Sequence, residues 1–102
     1  MAITQTEVGA TATTVYTSSG TTALTCMFFM NDNASARTLT VHVVKSGDSA
    51  GTANTIVKAI NIDPADTYVI NTEKLVLDNG DTIQCTASAA SSIQATLSSV
   101  TI

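Results

Sequence analysis

More than a third of this 102-residue chain is β-branched: 19 Thr, 9 Val and 8 Ile, against 5 Leu and 2 Glu. Side chains restricted at χ1 fit an extended, pleated backbone better than a helix. They recur with period two, in runs bounded by Gly, Asn, Asp and Ser clusters, almost from end to end. That is the pattern of half-buried strands, and no segment of helical length carries a stripe of period 3.6. A chain of this length makes one domain with one core. The expected fold is therefore all-β: a single antiparallel β-sandwich, jelly-roll-like, with seven or eight strands. A part-closed barrel stays open, because strand number alone does not set topology.

The strands read as Thr11–Thr17, Thr21–Met30, Thr38–Lys45, Thr55–Ile62, Thr67–Asn71, Leu75–Leu77, Thr82–Ala87 and Ile93–Ile102. Residues 1–10 read as an N-terminal arm or edge strand, and residues 11–102 as the sandwich. In the Thr38–Lys45 strand, Leu39, Val41 and Val43 share one side. Ile56, Ile60 and Ile62 form a row that Lys58 interrupts. Asp63-Pro64-Ala65-Asp66 is a turn with Pro setting φ at its second position. Asp78-Asn79-Gly80-Asp81 carries the strongest hairpin signal, since Asn-Gly accepts the positive φ of a primed turn.

Thr21–Met30 breaks the alternation. Leu24, Cys26, Phe28 and Met30 read as one face, yet Met27 and Phe29 on the other are also large and apolar. A sheet with one wet face shows polar residues on one parity. Something must cover the second side, either the chain's own segments or another subunit. Met27 and Phe29 are thus the candidate subunit interface, and Ile3, Gln5 and Val8 a candidate partner-binding arm that could add a strand to a neighbour.

Composition excludes several classes. The formal net charge is −4 with four basic residues in all, Arg37, Lys45, Lys58 and Lys74, too few and too scattered to replace phosphate counterions on nucleic acid or to bind an anionic membrane. No apolar run is long enough to cross a bilayer, and the start of the chain has neither a basic nor an apolar signal-peptide region. The reading expects manufacture in a reducing cytoplasm, with Cys26 and Cys85 made as thiols; buried free thiols and a bridge across the sandwich both stay open.

Chemistry-bearing residues are sparse. His42, the one histidine, lies mid-strand without an orienting partner and reads as a surface or interface residue. Three Cys and His residues in all fall short of a structural zinc set, and Asp78–Asp81 lacks the alternating oxygen ligands of a calcium loop. The sequence names no catalytic residue, metal ligand or cofactor.

The stretch from Asp63-Pro64-Ala65-Asp66-Thr67-Tyr68 through Leu75-Val76-Leu77-Asp78-Asn79-Gly80-Asp81-Thr82-Ile83 resembles a pattern in small β-sandwich virion proteins of tailed bacteriophages, notably those of cyanobacteria. Val15–Thr25 and Asn31 with Ala36–Val41 are similar to other segments of that group. The resemblance covers roughly residues 11–102 and rests on turns and alternating strands, not on catalytic residues. It implies a non-enzymatic capsid-decoration (cement) protein, a homotrimer in the virion that bridges capsomers by binding the major capsid protein. A neck, tail or fibre accessory protein is the alternative it implies. A carbohydrate-binding sandwich is a third reading, weakened by the absence of Trp.

Overall fold

The computed structural model describes residues 2–70 and 75–102. These residues form nine strands and no α-helix: β1 (Ala2–Val8), β2 (Thr13–Thr17), β3 (Thr22–Asn31), β4 (Arg37–Val44), β5 (Thr55–Ile62), β6 (Thr67–Ile70), β7 (Leu75–Leu77), β8 (Thr82–Ala87) and β9 (Ile93–Thr101). A single 3-10 turn, Thr52–Asn54, precedes β5. The first sheet has the order β1-β9-β3-β6, with β7 also on β3, and the second has β2-β8-β4-β5. The two pack face to face as a β-sandwich.

β6 pairs with Met27–Met30 of β3 and β7 with Thr22–Leu24, so the two flank successive parts of the same strand. Counted as one strand position beside β3, they give the strand order of an eight-strand jelly roll. The strand beyond the eight expected is β1, formed by residues read as an arm or edge strand. Asn71, the expected end of the sixth strand, and the Thr72–Lys74 segment lie outside the described residues.

Between the sheets lie Val8, Val15, Leu24, Met27, Phe29, Leu39, Val41, Ile83, Cys85, Ile93, Ala95 and Leu97, all nearly inaccessible to water. Expected alternation places β8 and β9 correctly, since Ile83, Cys85 and Ala87 point inward, as do Ile93, Ala95 and Leu97. β3 departs from it. Its register against β9 shifts between Leu24 and Cys26, so Thr25 is an extra residue, a β-bulge whose hydroxyl donates to the Ser98 carbonyl at 3.2 Å. One inserted residue exchanges the faces of everything after it. Thr22 and Leu24 face inward before the bulge, and Met27, Phe29 and Asn31 after it. Met27 and Phe29 are 1% and 0% exposed. The expectation that they form a subunit interface is therefore corrected: they are core residues, and Cys26, Phe28 and Met30 face outward.

Two more strands change parity in the same way. β2 bulges between Thr14 and Tyr16, which turns both Val15 and Tyr16 inward. β5 has two irregularities against β4. Lys58 and Ala59 are accommodated at one of them, where Ala59 takes φ 50°. Val57, Ile60 and Ile62 then pack on the core, and Ile56 is exposed. Lys58 does not interrupt the inward row because the bulge removes it from that row.

The Asp78–Asp81 segment is a turn, with Asp81 N–H donating to the Asp78 carbonyl at 3.1 Å, but not a hairpin. It carries the chain from β7 in one sheet to β8 in the other. Gly80 has φ 88° and Asn79 is not in the positive-φ region, which matches a type II turn instead of a primed one. A Cβ at Gly80 would sit 2.7 Å from Ser46 Oγ, a side-chain atom that can rotate away, so it is the φ that calls for glycine. Among the described residues, the one hairpin joining neighbouring strands is β4–β5, through the longer 45–54 loop.

β1 is an edge strand of the chain's own first sheet, paired with β9 from Ala2 to Val8. Of the three arm candidates, Val8 is buried in the core and has no surface to offer a partner, whereas Ile3 and Gln5 are exposed. The arm reading is corrected for Val8 by its inward position opposite Ile93.

Asn31 closes the sandwich at the end where Val8 lies, both standing opposite Ile93. Its side chain is fully buried; Nδ2 donates to the carbonyls of Ser35 and Ile62, each at 2.9 Å, and Oδ1 accepts from Asn33 N–H. Asn31→Ala leaves two carbonyls and one amide without these partners. At about 1 kcal/mol per bond, it should lower unfolding free energy by about 3 kcal/mol, measured by urea denaturation.

Candidate functional site

Register pairs fix which residues share the outer face of the first sheet. Phe28 stands opposite Val69 on one side and Thr96 on the other. Ala23 lies between Val76 and Val100, and Cys26 beside Ser98. Ile3, Gln5 and Glu7 continue the face on β1, opposite Ser98, Thr96 and Gln94. Ile3, Phe28, Val69 and Val76, at 71%, 41%, 40% and 63% exposure, are four of the six exposed large hydrophobic residues among the described residues; Ile56 and Ile102 are the others. Half-buried Cys26 and Met30 join them.

Among the described residues this face is almost free of charge, and the register places one ionisable carboxylate on it, Glu7 near the β1 end, where Gln94 Nε2 donates to Glu7 Oε1 at 3.1 Å. Its remaining polar groups are hydroxyls and amides, which are less costly to take out of water than ions. An apolar, uncharged sheet face of this kind is suited to adhesion to another protein surface.

The doubly apolar sequence of β3 was the signal for such a face. It did not disclose which parity would be wet, because the bulge at Thr25 depends on how β9 lies against β3. Val69 and Val76 were legible only as strand residues, and their place beside Phe28 comes from the pairing.

The second sheet has a different outer surface. His42 is 9% exposed, and its Nδ1 lies 3.0 Å from Thr55 Oγ1 and 3.2 Å from both the Gly51 carbonyl and Asn54 Oδ1. Thr55 donates its hydroxyl proton to Gly51 O, and Asn54 uses Nδ2 toward Ser49 O. All three neighbours therefore present acceptors, which assigns the proton to Nδ1 and, in the neutral ring, the lone pair to Nε2. The contacts tie the 45–54 loop to β4. Beside the ring runs a groove of about 520 Å³ lined by Thr40, Thr52, Thr55, Lys58 and Ala59. No aromatic ring lines it, so it offers no stacking platform for a sugar. No carboxylate orients the imidazole, and among the described residues no three His, Cys, Asp or Glu side chains gather as metal ligands.

Both cysteines are free. Cys85 points into the core from β8, and burial pushes its thiol up to about 12 from an ordinary value of 9.0. Cys26 faces out from the opposite sheet. A bridge across the sandwich is excluded by these opposed directions.

Comparison of the chain with protein-family models, with curated proteins and with solved structures gives no match.

Proposed function

We propose that the chain is a non-enzymatic structural protein of a tailed-phage virion, a trimeric decoration protein that binds the major capsid protein and holds adjoining capsomers together. The observation that carries this reading is the outer face of the first sheet, where Ile3, Phe28, Val69 and Val76 are exposed on a nearly uncharged surface. Such a face serves association between protein subunits, here the copies of the trimer, and the resemblance of the Asp63–Ile83 region to phage sandwich proteins supplies the setting. A protein of this kind acts mechanically: it binds the assembled lattice in many copies, so individually weak contacts add up. Binding only the mature lattice stabilises that lattice by mass action.

The test is binding of purified protein to emptied mature capsids, with bound copies counted at saturation. Hundreds of copies per particle at a ratio set by the lattice are the expected result. Saturation at a dozen or so would move the protein to the neck, tail or fibre, and no binding to any virion part would end the virion reading.

A further inference from the structure

We infer that the outer face of the β1-β9-β3-β6 sheet is where copies of this chain bind one another, the occupant of the face being the same face of a further copy. The inference deepens the trimer proposed above and rests on it for the number of copies.

Three observations choose a like copy over an unlike partner. First, the face has no cation among the described residues, and its single carboxylate, Glu7, sits near one end and is hydrogen-bonded to Gln94. Copies can thus meet without like charges being forced together, while a partner selected by opposite charge finds little to read. Second, the area is sufficient. The described strands of the face, 7, 9 and 10 residues long in β1, β9 and β3 and 4 and 3 in β6 and β7, span roughly 540 Å² in projection at about 4.8 Å by about 3.4 Å per residue. Side chains standing off the sheet raise the accessible area toward the about 800 Å² per partner of a stable interface.

Third, the width suits closure by three. Sheets about 19 Å wide that form a triangular prism stand about 5.5 Å from its axis, near half the roughly 10 Å spacing of stacked sheets. One layer of side chains from each copy fills that interior. Phe28 and Cys26, on an inner column of the sheet, then lie near the axis, and Val69, Val76 and Ile3 lie toward the neighbouring copies.

The test is sedimentation equilibrium of the wild-type chain and of the Phe28→Ser, Val76→Ser double variant, with circular dichroism to verify folding. Both side chains point away from the core, so the variant keeps the sandwich. The wild type should have a multiple of the chain mass and the variant the mass of one chain. In parallel, iodoacetamide should alkylate Cys26 of the wild type several-fold more slowly as protein concentration rises through the association range, Cys85 being shielded inside the sandwich.

A wild type that remains monomeric, a folded variant that keeps the wild-type mass, or Cys26 labelling that ignores concentration would each overturn the inference. The outcomes also separate it from the capsid reading. A variant that keeps its mass removes this face but leaves the trimer standing. A wild type that associates through the face but ignores capsids leaves the face standing without the virion role.

Discussion

Phe29→Ala should lower the unfolding free energy by about 4 kcal/mol, while Phe28→Ala, one residue away, should change it by less than about 1 kcal/mol. The two are compared by urea denaturation in solution dilute enough for the chain to be monomeric. Phe29 is 0% exposed and heads the largest fully buried side chains, so its truncation removes apolar contacts and leaves a cavity between the sheets. Phe28 is 41% exposed and stands on the outer face of the sheet, opposite Val69. The difference reports directly on the bulge at Thr25. Without that extra residue the two rings would exchange places, and the order of the two effects would reverse.

A second large effect is expected above pH 9. Cys85 stays a neutral thiol in the folded chain, because its burial raises the thiol from 9.0 to about 12. In the unfolded chain it ionises near its ordinary value. Above that value the unfolded state has lost a proton that the folded state retains, so stability falls as pH rises. The contribution is fully present below about pH 9 and is lost progressively toward about pH 12, at about 1.4 kcal/mol per pH unit within that window. Denaturation midpoints measured across it should decline in the wild type. In Cys85→Ala the part of the decline due to this thiol should disappear, although the truncation lowers stability at every pH. An equal slope in both proteins would assign the alkaline loss to other groups.

Much of the fold could be read from residue order because alternation of Thr with Val and Ile is a local property. β8 and β9 are the clearest cases, with Ile83, Cys85 and Ala87, and Ile93, Ala95 and Leu97, inward as their period requires. What could not be read depends on the partner strand. The bulges at Thr25, at Val15 and around Ala59 have no residue signature that sets them apart from ordinary strand. Each redirects the side chains beyond it. Asn79-Gly80 shows the same limit, for a glycine at positive φ serves a hairpin within one sheet or a crossing between two equally well. The candidate site was half legible: the apolar excess in β3 showed that a surface must be covered, but the choice of Phe28 over Phe29 as its centre required the register with β9.

The position of β9 also has a consequence for how the protein is made. This strand lies between β1 and β3, yet it is translated some sixty residues after β3. While the ribosome is still at work, β1 has no neighbour to pair with, and Met27 and Phe29 lack the strand that pairs beside them in their own sheet. The nascent chain must therefore wait with its stickiest segment uncovered until Leu97 has emerged, and pairings between such distant segments form slowly. Holding chaperones would be favoured during that interval, and a chain cut before Ile93 should accumulate as aggregate instead of as a smaller sandwich.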